Sequence, residues 1–310
     1  MATNIKNLPA EEYVCPGNGA CGGCGAMLAL RLVGKAMGPN AVIAMTPSCV
    51  VASTGVAPKS ALTWPSMNVT FASAGATASG LSAAYEMLKE KGRWEGELPT
   101  VFSWSGDGGT YDIGIQALSA AAERNDNMIH FCYNNEAYSN TGMQRSGATP
   151  RYAYTTTTPA GKTRTKKNMA LLMLEHGIPY AATASLAYPG DLYDKVMKAK
   201  SIPGFKYIEI FTPCYTGWGF DSSETIEMAR LAHRSCAWVL WEGSDRKLTI
   251  SEPSLPYVTG QKKRDSVEEY LLHQNRFRKI LSKGDQAAMI AEIQSEIDDG
   301  LDYLLRRANM

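Results

Sequence analysis

Short apolar runs alternate with stretches of helical period along the first 240 positions. Ala41–Met45 (AVIAM), Asn68–Ala72 (NVTFA), Thr100–Ser105 (TVFSWS), Met128–Tyr133 (MIHFCY), Tyr180–Thr183 and Phe205–Phe211 (FKYIEIF) read as strands. Helices are predicted over Cys24–Met37, with Gly38-Pro39 as its stop, and over Gly75–Lys91, Asp112–Arg124, Asn168–His176 and Leu192–Lys200. Continuous apolar strands separated by helices predict an α/β fold, a parallel sheet with helices on both faces. The stretch Tyr138–Lys167 is rich in Thr, Gly and Pro and has no period. Structureless loops of that length are usually functional. The tail changes character: Glu224–Trp241, Val267–Leu281 and Ala287–Arg306 read as helices around a Pro-bearing stretch, Ser251–Gly260. One domain over 1–240 and a C-terminal extension over 241–310, packing on the domain or on a partner, are expected.

Composition narrows the class. The 310 residues are 45% hydrophobic and 20% charged, enough for a sizeable core and against disorder. Lys+Arg exceed Asp+Glu by 31 − 30 = +1, so charge gives no reason to expect nucleic acid or an anionic membrane as partner. No run approaches the ~18 apolar residues of a membrane span. Met1–Tyr13 lacks the apolar stretch of a signal peptide, so a cytoplasmic location is expected. Seven cysteines in such a compartment point to metal ligands or redox groups rather than disulfides.

Gly106-Asp107-Gly108-Gly109 joins the strand Thr100–Ser105 to the helix predicted from Asp112. Glycines let backbone approach a phosphate, and a helix N-terminus favours its charge. A carboxylate there offers Mg²⁺ a hard oxygen ligand. The next strand ends in Asn134-Asn135. If the two strands are neighbours, Asp107 and Asn135 meet at one edge of the sheet. A bare tight turn is the alternative.

Cys21-Gly-Gly-Cys24 opens a helix, where thiolates are favoured. Cys49 and Cys214 each follow a strand and so share the edge of Asp107 and Asn135. Four cysteines there suit a [4Fe–4S] cluster or a Cys₄ zinc site, and the Cys-x-x-Cys pair alone also suits a redox disulfide. Cys132 and Cys236 lie in apolar elements and read as core, and Cys15 stays open as another ligand.

Gly106-Asp107-Gly108 followed by Asn134-Asn135 resembles the thiamine diphosphate motif. GDGGTYDIGIQALSAAAERN, NNEAYSNTGMQRSGATP, TTTTPAGK, HGIPYAATAS and TPCYTGWG resemble the β subunit of 2-oxoacid:ferredoxin oxidoreductases, from about Pro9 to Glu242. The resemblance implies a thiamine diphosphate-binding fold with Gly106, Asp107, Gly108 and Gly109 at the cofactor. It implies Mg²⁺ held by Asp107, Asn135 and the Ala137 carbonyl. It places Asn140 beside the cofactor ring as a catalytic residue, with Thr141 and Cys49 also at the cofactor. It assigns Cys21, Cys24, Cys49 and Cys214 to a [4Fe–4S] cluster. The implied reaction is oxidative decarboxylation of a 2-oxoacid, with pyruvate favoured over oxalate, branched-chain or aromatic 2-oxoacids. Coenzyme A takes the acyl group and electrons pass through the cluster to ferredoxin. An α subunit, and γ and δ subunits with ferredoxin-type clusters, are the implied partners. No Glu suited to activating the cofactor stands out, and the resemblance puts that residue on another subunit, so the chain alone is expected to be inactive. Rival classes are a cluster-free thiamine enzyme and a zinc-binding, non-enzymatic subunit.

Other signals carry less. Gly17-Asn-Gly19-Ala-Cys21-Gly22 fits G-x-G-x-x-G, but no strand precedes it. Lys162, Arg164, Lys166 and Lys167 read as a solvated basic loop, with coenzyme A phosphates or an acidic ferredoxin as the alternative. His233 reads as a satisfied residue, Trp104 as packing, and Trp218 as packing that shields the cysteines from water.

Overall fold

The computed structural model describes residues 2–310. Eight strands form one sheet: β1 Ala41–Met45, β2 Ser66–Asn68, β3 Thr100–Gly106, β4 Met128–Asn134, β5 Tyr180–Ser185, β6 Phe205–Phe211, β7 Trp241–Ser244 and β8 Lys247–Ile250. Their spatial order is β2-β1-β3-β4-β6-β5-β7-β8. The first six pair in parallel, and β5–β7 and β7–β8 are antiparallel. The expected parallel sheet is therefore present, and an antiparallel hairpin lengthens it at one edge.

The central strands are buried along their whole length because both faces are covered. Helices Gly25–Met37 and Pro189–Ser201 pack over Ile43, Phe102, Phe131 and Ile208 on one face. Helices Ile115–Glu123 and Met169–Glu175 pack over Ala44, Val101, Cys132 and Tyr207 on the other. Leu301 and Leu304 of the last helix, Gln286–Arg307, join that second core, so the tail packs on the sheet. A third cluster, with Phe211, Trp218, Trp238 and Phe277, ties the tail to the carboxyl ends of the strands.

Several elements depart from the periodicity. The strand expected over Asn68–Ala72 ends at Asn68, because Thr70–Ser73 closes a turn, Ser73 N to Thr70 O at 3.0 Å. The helix expected from Asp112 begins earlier, as a wide turn over Gly108–Ile113, and continues as Ile115–Glu123. The helix expected over Glu224–Trp241 stops at Arg234, before Cys236 takes a φ of 61°. The helix expected over Val267–Leu281 is two helices, Val267–Leu272 and Asn275–Leu281, separated by extended backbone at Gln274 (φ −106°, ψ 122°). Gln274 is fully buried, and its amide donates to Tyr270 O at 2.7 Å.

Candidate functional site

Four neighbouring strands deliver the residues of interest to one edge. In the sheet β1, β3, β4 and β6 stand side by side. Their carboxyl ends lead into Cys49, Asp107, Asn135 and Cys214 respectively. The register fixes the height: Gly106 lies beside Tyr133, and Asn134 beside Phe211. Consecutive strands β3 and β4 are indeed neighbours, and Asn135 N donates to Asp107 Oδ1 at 3.3 Å.

Asp107 is wholly buried, and burial pushes its carboxyl up to about 8. Its donors are the Ser146 hydroxyl, 2.5 Å from Oδ2, and the Asn135 backbone. One terminal atom of the Asn135 amide lies 3.1 Å from Asp107 Oδ1 and 2.9 Å from the Ala137 carbonyl oxygen. With nitrogen in that position the amide donates to both. With oxygen there, it faces two other oxygen atoms. That oxygen accepts from Ser139 at 2.9 Å. The two asparagines divide the work. Asn134 gives its Nδ2 to the buried Glu209 at 2.6 Å, and its Oδ1 takes the Glu136 N–H at 2.9 Å. Asn135 alone faces Asp107.

The glycines follow from close packing. A Cβ on Gly108 would run into the ring of Tyr138, whose hydroxyl donates to Gly108 O at 3.2 Å and to Asp112 at 3.1 Å. Gly108–Ile113 starts a helical turn whose first N–H groups have no carbonyl one turn back.

The cysteine loops are held against each other. Gly23, at φ 79°, approaches Ser222, and Thr225 donates to Gly23 O at 2.8 Å. Gly25 abuts Pro213, the neighbour of Cys214. Burial pushes the Cys49 thiol up to about 12, and Cys214, Cys24 and Cys21 push it the same way. Burial also raises Cys24 and Cys214. The four thiols thus lie within each other's fields, on the edge occupied by Asp107. Burial keeps Cys24, Cys49 and Cys214 as thiols without a metal, and a metal that binds them releases protons. Among the described residues no group of three or more His, Cys, Asp or Glu side chains is arranged around one metal ion. The oxygen set at Asp107 includes an amide and a backbone carbonyl, and a [4Fe–4S] cluster spreads its thiolates over four irons.

Other expected residues fall as follows. Asn140 and Thr141 are exposed at the loop tip, where Thr141 bonds Gln144. Cys15 is exposed, and Cys132 and Cys236 are buried. His233 is buried between Tyr188 Oη at 2.8 Å and Ser254 Oγ at 2.9 Å. The basic run is not a solvated loop at Lys162. That residue is 3% exposed and donates to the carbonyls of Gly147 and Thr149. Lys166 pairs with Glu136 at 3.3 Å and Lys167 with Asp112 at 3.0 Å. Trp218 is buried, and its Nε1 donates to Asn135 O at 2.9 Å.

Sequence inspection missed Glu136, Ser139, Ser146 and Arg276. Glu136 stands between two expected ligands, at φ 61°, with 1% of its surface exposed, and that adjacency was its signal. Ser139 and Ser146 sit in the quoted loop. Arg276 has no local signal at all.

Residues 48–210 match the family model of the thiamine pyrophosphate enzymes, C-terminal TPP binding domain. Pyruvate synthase subunit PorB of Methanothermobacter thermautotrophicus is 46% identical over 290 residues, 92% of this chain and 96% of its own. Ketoisovalerate oxidoreductase subunit VorB of Pyrococcus horikoshii is 42% identical over 287 residues, 91% of this chain and 90% of its own. A solved 2-oxoglutarate:ferredoxin oxidoreductase from Magnetococcus marinus, with 2-oxoglutarate, coenzyme A and succinyl-CoA bound, superposes with a TM-score of 0.57. It is 21% identical and covers 74% of this chain and 84% of that one, which speaks for the fold. Among the described residues no helix is long and apolar enough to cross a membrane.

Proposed function

This chain belongs to the 2-oxoacid:ferredoxin oxidoreductase subunits that carry the thiamine pyrophosphate domain, and from that premise we propose that it holds thiamine diphosphate–Mg²⁺ and a [4Fe–4S] cluster on one sheet edge. The observation that carries the proposal is the convergence of Asp107 Oδ1, the Asn135 amide and the Ala137 carbonyl at 2.9–3.1 Å. Octahedral Mg²⁺ with bonds of about 2.1 Å needs neighbouring oxygens about 3 Å apart. A wholly buried carboxylate with neutral donors also calls for a cation.

Thiamine diphosphate, when bound, supplies the electron sink for decarboxylation of a 2-oxoacid. The chain's own residues bind and orient. Asp107, Asn135 and Ala137 offer oxygens to the cation. Ser146 holds Asp107 Oδ2, so that Oδ1 faces Asn135. Gly108 and Gly109 begin the turn whose unpaired N–H groups would bind diphosphate, neither position has room for a side chain, and Asn140, exposed at the loop tip, is the residue assigned to substrate. Cys21, Cys24, Cys49 and Cys214 would hold the cluster, which would supply a one-electron acceptor. Partner subunits supply the cofactor-activating carboxylate, the remaining clusters and the path to ferredoxin, and coenzyme A takes the acyl group. Pyruvate is the favoured substrate: relatives named for it reach 46% identity, against 43% for those named for ketoisovalerate.

The test is anaerobic isolation of the complex with its partner subunits. Bound thiamine diphosphate, four irons and four sulfides per chain, and viologen reduction fastest with pyruvate in a 2-oxoacid panel are expected. Asp107→Asn is expected to lose the cofactor. Zinc in place of iron, or a D107N complex that keeps its cofactor, overturns the assignment. The chain alone is expected to be inactive.

A further inference from the structure

The extension beyond residue 240 carries a charged group into the centre of the site. The helix break at Gln274 lets the chain turn inward, and Asn275 N donates to Gly219 O at 3.3 Å. Arg276 follows, with 4% of its surface exposed. Gln274 Oε1 accepts from its Nε at 2.8 Å, and its Nη2 donates to Glu136 Oε2 at 2.6 Å. Its guanidinium carbon lies over Trp218, 3.6 Å from the ring centroid.

These contacts reach both halves of the site. Glu136 sits between Asn135 and Ala137 with left-handed backbone, which a residue with a Cβ adopts only when its surroundings hold it there. Trp218 ends the short helix that Cys214 caps, and its Nε1 donates to Asn135 O at 2.9 Å. One guanidinium therefore braces the turn that offers oxygens to a cation and the segment that offers a thiolate to a cluster. Trp218 N donates to Cys214 O at 2.9 Å, so the guanidinium over Trp218 stands one helical turn from that cysteine. Lys166, 3.3 Å from Glu136 and partly exposed, also pairs with the same carboxylate, and Lys162 lies within its field.

We propose that Arg276 is a positioning residue: it locks the Asn135–Ala137 turn to the Cys214–Trp218 segment, and its charge sets the potential of the cluster. The proposal rests on the functional reading above. A fixed positive charge beside a cluster favours the reduced, more negative state and raises its potential. Glu136 opposes that effect, so the two members of the pair act with opposite sign.

The experiment uses the whole complex and three variants, Arg276→Gln, Arg276→Lys and Glu136→Gln. The cluster midpoint is followed by spectroscopic redox titration, and thiamine diphosphate affinity by equilibrium dialysis with Mg²⁺. R276Q is expected to move the midpoint negative and E136Q to move it positive. Both are expected to weaken cofactor binding about tenfold or more by freeing the turn. R276K is expected to restore most of the midpoint and only part of the affinity, because it keeps the charge and loses the planar fork. If R276Q does not assemble, the positive shift in E136Q still tests the sign. Midpoints that move together, or not at all, overturn the proposal and leave the functional reading standing. An unaltered complex without a cluster signal overturns both.

Discussion

Ser146 donates its hydroxyl to Asp107 Oδ2 at 2.5 Å, and this bond fixes which oxygen of the buried carboxylate is left to face Asn135. A hydrogen bond to a charged group is worth about 1.5–3 kcal/mol. Ser146→Ala is therefore expected to weaken Mg²⁺ and thiamine diphosphate binding about ten- to a hundredfold, since each 1.4 kcal/mol is tenfold. Calorimetric titration of the complex checks this. An unchanged dissociation constant refutes the orienting role.

Cys49 enters the site from β1, apart from the oxygen set on β3 and β4. Cys49→Ser is expected to leave thiamine diphosphate bound and to remove or alter the cluster signal, with ferredoxin reduction lost. Iron, sulfide and cofactor content measured on one anaerobic sample separate the two effects. Full turnover in C49S would sink the ligand assignment.

Gly108 has no space for a side chain, because the Tyr138 ring occupies it. Gly108→Ala is expected to push Tyr138 aside at a cost of about 1–3 kcal/mol and to lower cofactor affinity with it. Gly80, inside the helix Ala74–Glu90, meets nothing within 4 Å. Gly80→Ala is expected to be neutral or to stabilise by about 1 kcal/mol. Thermal melts of both variants, with and without cofactor, make the comparison.

Burial lowers His233 from 6.5 to about 4, and the charges of Arg234 and Lys195 add to the effect. His130, also buried, is lowered to about 3. Between pH 6.5 and 4 the unfolded chain takes up protons that the folded chain refuses at these sites. The contribution of these histidines is thus full above about pH 6.5 and is lost as the pH drops, by on the order of 3 kcal/mol for His233 alone, while Asp107, raised to about 8, acts in the opposite sense. In denaturant unfolding at pH 7.5 and 4.5, His233→Asn is expected to lose less stability than the parent protein on going to the lower pH. An identical loss in the variant contradicts the assignment.

Much of this protein was legible in its sequence. The apolar run AVIAM marks a central strand, since a strand covered on both faces needs no polar positions; β1 and β6 have the bounds expected for them, although FKYIEIF also buries Lys206 and Glu209, each held by hydrogen bonds. Gly106-Asp107-Gly108, Asn134-Asn135 and the four cysteines lie within a few residues of strand or helix ends, so parallel topology was enough to send them to one edge. Tertiary structure decided the rest. Which asparagine faces Asp107 depends on Glu209, a β6 residue that claims Asn134 through the sheet register. The helical period over Val267–Leu281 carried no sign of the break at Gln274, because that break is stabilised by burial and by hydrogen bonds from the buried side chains around it. Arg276 and Glu136 stand 140 positions apart and meet only because the tail packs on the carboxyl ends of the strands. Periodicity and local motifs report what a residue does with its chain neighbours, whereas this pair is set by packing between distant elements.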